Sequence, residues 1–433
     1  MLKCGAAEYN ITPKLGVFMP GSFSDRFAQS VYDDLYVRAL VLDDGETVLA
    51  LAILDTLYVS FAMTDYVRRL VKESTGIPEE NVLVAGTHTH YSFSIDLATY
   101  RPEGEKLKDD LTRETAEKTA SAIRMAYDRR RDARIGFGRC EEHDISFIRR
   151  YFMKDGRVRM NPGMKNPDIV KPEGVIDPEV GILRIDEPDG TPIAVLSSFA
   201  CHLCVAAKNG YSADYGGEIS RVIKGALGQK VVSLFFAGCC GNINHIDYTG
   251  GHPYGADHHI KMGRILGYKI LSQREKIAVS DEMKLAASVE NITVKRRQPT
   301  EENMAYSRAV LARKAAGEAV SDKELSYANA YKFLSETPKL EETFGVQAMR
   351  IGDIGLAGMP GEIFVEAGLA IKEQSPFEKN FTIELANGCL GYVSTAEAQT
   401  HGGYETELSR YTFTPPETLG LMVDSAVRQL KKL

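Results

Sequence analysis

The stretch Val82-Leu83-Val84-Ala85-Gly86-Thr87-His88-Thr89-His90 has the residue types for metal or proton chemistry. It opens as an apolar, β-branched run and closes in His-Thr-His just past a glycine. In extended chain, residues two apart point to one side, so His88 and His90 should face one point. Two imidazoles there suit a zinc site, or a zinc ligand with a proton-transfer partner. Taken alone, the pair is equally a set of polar loop residues. Two further strand-like runs also end in polar groups. Ile193 to Ala200 delivers Cys201-His202-Leu203-Cys204, and Val231 to Phe236 empties into Gly238-Cys239-Cys240-Gly241-Asn242-Ile243-Asn244-His245. A fourth, Ala348 to Ala357, leads through Gly358-Met359-Pro360-Gly361 to Glu362 at a helix start. Strand ends on one sheet edge are where α/β folds assemble sites. Two histidines, a carboxylate and an open position would make a hydrolytic zinc centre.

The elements that must position these residues read as α/β. Tyr36 to Leu42 and Thr47 to Leu57 form a hairpin around Asp43-Asp44-Gly45-Glu46. Asp55, near the end of that second strand, either faces the site or serves as a turn cap or ion-pair partner. Met63 to Glu73 has helical spacing and ends at Gly76-Ile77-Pro78, giving a strand–helix–strand unit. Residues 105–130 form an amphipathic helix with Leu107, Leu111, Ala116, Ala120, Ile123 and Ala126 near one face. Hairpins are expected over Phe147 to Met160 and over Glu179 to Ala200, and helices from Glu218 and over Asp257 to Arg274 and Glu417 to Lys431. Residues 8–34 read as an irregular lead-in. Residues 300–337 read as a peripheral helical hairpin, the candidate insertion at about 298–340 in a single catalytic domain spanning 1–433. The fold class is α/β, a mixed β-sheet core flanked by helices.

Composition narrows the function. The 433 residues are 44% hydrophobic and 26% charged, ordinary for a globular enzyme. A net charge of −7 argues against nucleic acid or an anionic membrane as the main partner. No run approaches the roughly 20 apolar residues of a membrane span. With no apolar leader and seven cysteines, two of them adjacent, a reduced, cytoplasmic protein is expected. Cys201 and Cys204, at CxxC spacing without a second pair, read as core. His258-His259 at a helix start read as surface, and His245 and His401 as loop residues rimming the pocket. The partner is a small-molecule substrate, and a homo-oligomer is compatible with the chain.

Four blocks, in order, resemble the catalytic region of neutral/alkaline, non-lysosomal ceramidases. They are Gly86-Thr87-His88-Thr89-His90, Phe199-Ala200-Cys201-His202, Pro360-Gly361-Glu362, and a loop with Tyr392 and Tyr404 twelve apart. The resemblance implies a neutral-ceramidase-like catalytic domain in a short, bacterial-type member without the family's C-terminal β-sandwich. It implies zinc held by His88, His202, Glu362 and Tyr392. His90 would assist proton transfer and Tyr404 would donate to the carbonyl oxygen. Arg149 falls where the family has an arginine, although its neighbours Ile148 and Arg150 differ. Asp214 matches an aspartate that could orient a ligand, and Asp214, Asn244 and His245 are the candidate substrate-side residues. Asn244 stands where the family has a serine proposed as catalytic, so water becomes the expected attacker. The expectation is a zinc-dependent hydrolase of a C–N bond in a linear, soluble amide. Ester or lactone hydrolysis, a carbohydrate-directed hydrolase and a non-catalytic ligand-binding relative are the alternatives.

Overall fold

The computed structural model describes residues 2–95, 109–206 and 209–433. Three β-sheets meet in one core, and each contains a parallel strand pair joined through a helix. In the first, the strand order is Val82–Gly86, Val48–Leu54, Tyr36–Asp43, Lys3–Asn10 and Arg131–Asp132. Val48–Leu54 and Val82–Gly86 run parallel, with the helix Phe61–Thr75 between them in sequence. In the second, Val232–Ala237 runs parallel to Pro192–Phe199, linked through the helix Asp214–Leu227, and Glu179–Asp186 and Arg134–Glu141 complete the sheet. In the third, Ile354–Gly358 runs parallel to Lys379–Ile383 through the helix Val365–Gln374, with Glu341–Ile351 and Leu285–Lys295 alongside.

Period-two alternation explains why these strands are apolar almost throughout. Leu40, Leu51 and Leu83 face a cluster shared with Leu183, Leu196 and Leu234 of the second sheet and Met349, Leu356 and Phe381 of the third. Their neighbours Val41, Ala52 and Val84 face the other way, onto Val67 and Ile123 of the helices Phe61–Thr75 and Asp110–Asp128. The other two sheets are likewise covered by helix pairs, Asp214–Leu227 with His258–Arg274 and Val365–Gln374 with Thr418–Leu430. A strand buried on both faces needs apolar residues at consecutive positions. The C-terminal ends of the parallel strands are where the candidate residues emerge.

Several expectations change. A strand, Lys3–Asn10, runs into the lead-in expected over 8–34 and pairs along its length with Tyr36–Asp43. Its small residues let a helix pass close: a Cβ on Gly5 would lie 1.9 Å from the Ala126 carbonyl oxygen. The run Ala348 to Ala357 is two strands, turned at Gly352 with φ +63°. The strands Arg134–Glu141 and Leu285–Lys295 carry too many polar or half-exposed positions to show an apolar run. The helix expected from Glu218 starts at Asp214. The helix expected over 105–130 is seen as Asp110–Asp128, and 105–108, with Leu107, lie outside the described residues. The hairpin of helices is Glu301–Ala315 and Asp322–Glu336, each with a hydroxyl-led capping box. All seven cysteines are free. No helix among the described residues is long and apolar enough to cross a membrane.

Candidate active site

Past Gly86 the chain turns instead of continuing extended. His88 adopts φ +73°, a left-handed conformation costly for a residue with a Cβ. Its amide donates to Thr56 O at 3.0 Å, and that of His90 to Leu203 O at 2.9 Å. The second contact, with a bridge between Thr89 and Leu203, lays the His-Thr-His turn against His202. The two histidines therefore converge by a strained turn and not by strand pleating. Ring centroids lie 5.0 Å apart for His88 and His90 and 4.4 Å for His88 and His202. One ring nitrogen from each of the three lies within 4.8 Å of the others.

Each Nδ1 faces a carbonyl, which only accepts, so each Nδ1 carries the proton. The partners are Leu57 O at 2.9 Å for His88, Cys240 O at 2.9 Å for His202 and Gly21 O at 3.2 Å for His90. All three Nε2 atoms are thereby left with lone pairs, and those of His88 and His90 are buried without a hydrogen-bond partner. Glu362 Oε2 lies 3.3 Å from Nε2 of His88 and 3.1 Å from Nε2 of His202. Lone pairs facing a carboxylate require a cation between them. A proton on His88 is one answer: burial opposes it, but the Glu362 charge wins and raises the His88 pKa. Arg149 Nη1 lies 3.1 Å from Nε2 of His202, yet one proton cannot serve the nitrogens of both His88 and His90. Burial, then the charges of Arg149 and His88, hold His202 down at about 3. Burial, then His88 and His202, hold His90 well below its ordinary value. Both stay neutral at pH 7, as a nitrogen ligand and a proton acceptor must. The donor set fits a divalent metal ion.

Glu362 is carried by a short parallel pairing of Glu362–Ile363 with Tyr392–Val393. The same pairing brings the tyrosine loop to the site, where the Tyr392 and Tyr404 hydroxyls share a hydrogen bond. Burial, then the Glu362 charge, raises the Tyr392 pKa, and burial raises that of Tyr404, so both remain O–H donors. Arg149 is buried, its guanidinium 5.4 and 5.6 Å from the two tyrosine ring centres. It donates to His202 Nε2 at 3.1 Å, to Gly241 O at 2.6 Å and to Glu405 at 3.0 Å.

The expected substrate-side residues are placed differently. Asn244 donates to Asn161 Oδ1 at 3.1 Å and accepts from the Ile246 amide at 3.0 Å. His245 is buried against Tyr254 and His258, ring centres 5.2 and 5.8 Å away. Asp214 gives its carboxylate to the amides of Val205, Ala206 and Tyr215 at 2.7, 3.1 and 2.6 Å. It shapes the loop after His202, so its observed contacts orient that ligand-bearing segment and none of them marks a substrate position. Asp55 pairs with Arg38 at 2.8 Å. His401 pairs with Glu173 at 2.6 Å. His258 and His259, expected at the surface, are 7% and 6% exposed because their helix starts under the 245–254 loop and packs on Asp214–Leu227.

Two buried carboxylates that contact the residues around the site, Glu384 and Glu405, escaped the sequence reading. Glu405 bridges Arg149 and Arg150, and Glu384 binds the turn that follows the Val232–Ala237 strand. Each has a sequence signal, adjacency to Tyr404 for one and a strand end for the other. Neither signal names its partner.

No family model and no curated protein matches this chain. Among solved structures, neutral ceramidase from Pseudomonas aeruginosa superposes with a TM-score of 0.72 over 100% of this chain and 75% of its own, at 21% identity. A ceramidase complexed with C2 superposes with a TM-score of 0.74 over 100% of this chain and 76% of its own, at 20% identity. The fold is that of neutral ceramidase. The part of the longer ceramidases that this chain does not match is about a quarter of their length. Within the neutral-ceramidase-like fold, the His88, His202 and Glu362 cluster sits where the three sheets deliver their strand ends.

Proposed function

We propose that this protein is a zinc-dependent hydrolase that cleaves the C–N bond of a linear amide. The observation that carries the reading is that carbonyls on Nδ1 of His88 and His202 turn both Nε2 atoms onto Glu362, with a ring nitrogen of His90 in the same cluster. His88, His202 and Glu362 would hold the metal, with Tyr392 beside Glu362. Bound there, zinc would supply Lewis acidity towards a carbonyl and lower the pKa of water.

The remaining work falls to side chains of the chain. His90, whose Nε2 is buried without a partner beside His88 and His202, offers that nitrogen as acceptor for the attacking water. The Tyr404 hydroxyl donates to the oxyanion that develops on the substrate carbonyl. Arg149, held by Glu405, keeps positive charge beside both tyrosines. Asn244 has no hydroxyl and its amide is engaged by Asn161, which supports water as the nucleophile. Among the described residues the site shows no free carboxylate pair of the kind glycoside hydrolysis uses, since Glu405 is tied to two arginines.

Elemental analysis of purified protein, followed by a panel of N-acyl amides, esters, lactones and glycosides, tests the proposal. About one zinc per chain with amide turnover is the expected result. Absence of metal binding and of turnover after zinc addition would refute it.

A further inference from the structure

Glu384 follows the strand Lys379–Ile383 and has no solvent exposure. Its Oε2 accepts from the Cys240 amide at 3.0 Å and from the Ile363 amide at 3.1 Å, and its Oε1 accepts from the Cys240 thiol at 2.9 Å. Both amides belong to turns that carry candidate ligands. The Cys240 carbonyl receives Nδ1–H of His202 at 2.9 Å. Ile363 follows Glu362 directly in the chain.

The residues after Glu384 extend the same join. Leu385 N donates to Gly361 O at 3.0 Å and Ala386 N to Met359 O at 2.9 Å, on the approach to Glu362. Asn387 N donates to Val84 O at 2.7 Å and its Oδ1 accepts from Val84 N at 3.0 Å, on the strand that leads to His88. Leu385 and Asn387 take φ of +52° and +64°, a left-handed backbone that persists only where surrounding contacts hold it. Four consecutive residues thus touch the three segments that bring His88, His202 and Glu362 together.

We infer that Glu384 is a positioning residue for the metal centre: its carboxylate sets the separation of His202 and Glu362 through the Cys240 and Ile363 amides. The inference rests on the metal-centre reading above. It assigns Glu384 no contact with substrate.

The test uses the full chain and the variants Glu384→Ala, Glu384→Asp and Glu384→Gln. Zinc affinity is measured by chelator competition. The visible spectrum of the cobalt(II)-loaded protein reports ligand geometry, and Tm is recorded beside them. Outer partners of metal ligands are commonly worth about 10- to 100-fold in metal affinity. Glu384→Ala and Glu384→Asp should therefore bind zinc about 10- to 100-fold more weakly, with a shifted cobalt spectrum. Glu384→Gln, whose amide oxygen can still accept both N–H groups, should stay within about threefold. If Glu384→Ala does not fold, Glu384→Asp decides, because it keeps the charge and withdraws the oxygens by one methylene. A lowered Tm with zinc affinity and cobalt spectrum unchanged would overturn the inference and leave Glu384 a structural residue. Equal losses in Glu384→Gln and Glu384→Ala would overturn it too, by placing the effect in charge. Wild-type protein that binds no zinc brings down the metal reading and this inference together. Tight binding in wild type and all variants brings down this inference alone.

Discussion

Glu405 and Arg149 form a fully enclosed ion pair, Oε1 to Nε at 3.0 Å, while the other oxygen of Glu405 takes Arg150 Nη1 at 3.0 Å. Neither glutamate oxygen meets solvent. Breaking a buried pair by removing one partner leaves an uncompensated charge, a loss of about 3–5 kcal/mol. Glu405→Ala leaves the Arg149 guanidinium without its carboxylate, while Arg150 keeps Glu173, and should destabilise the fold by about that order. Its denaturant midpoint relative to wild type checks this, and a midpoint unchanged within error would mean water replaces the carboxylate.

The metal ligands and His90 should separate cleanly by metal content. His88→Ala and Glu362→Ala should each abolish zinc binding, since each removes a donor from the enclosed cluster. His90→Ala should retain metal and lose turnover by about 10²–10⁴-fold, the range for loss of a general acid–base group. Elemental analysis beside single-substrate kinetics makes the distinction. Loss of metal in His90→Ala would promote His90 to ligand.

Tyr404→Phe removes one hydroxyl donor and little volume. Loss of an oxyanion donor costs about 10²–10³-fold in kcat. With KM and zinc content near wild type, that result would place the hydroxyl in the transition state. A change confined to KM would place it in substrate binding.

His245 supplies a pH dependence of stability away from the metal centre. Burial, then the nearby His258, lowers its pKa from 6.5 to about 4. The folded state therefore holds His245 neutral where the unfolded chain begins to bind a proton. The stabilisation is complete above pH 6.5 and is lost as pH falls from 6.5 to about 4. A shift of this size corresponds to on the order of 3 kcal/mol. Unfolding free energy measured at pH 7, 5.5 and 4 should decline in wild type, and His245→Asn should flatten the decline. Parallel profiles for the two proteins would refute the assignment.

Local sequence was enough for the parts of this protein that local physics controls. The apolar runs ending in His-Thr-His, Cys-His and Asn-Ile-Asn-His marked strands that open onto a site. The 3.6-residue spacing marked the helices Phe61–Thr75 and Asp110–Asp128, because a one-sided apolar stripe has no other stable use. The Gly-Thr-His-Thr-His, Ala-Cys-His, Pro-Gly-Glu and paired-tyrosine blocks pointed to the residues that the structure brings together, and the superposed ceramidases share the fold. Lys3–Asn10 was illegible because its run is short and small, and only pairing with Tyr36–Asp43 makes those residues a strand, over which a helix passes at Gly5.

Tertiary structure alone decided which nitrogen of each histidine is free, since the carbonyls of Leu57, Cys240 and Gly21 that fix the tautomers lie in other loops. It also moved Asp214 from substrate to loop and buried His258 and His259. Glu384 meets Cys240 across 144 positions, and Glu405 meets Arg149 across 256. A buried charge acquires its role from the partner that compensates it, and that partner is chosen by the packing of three sheets, which no window of neighbouring residues contains.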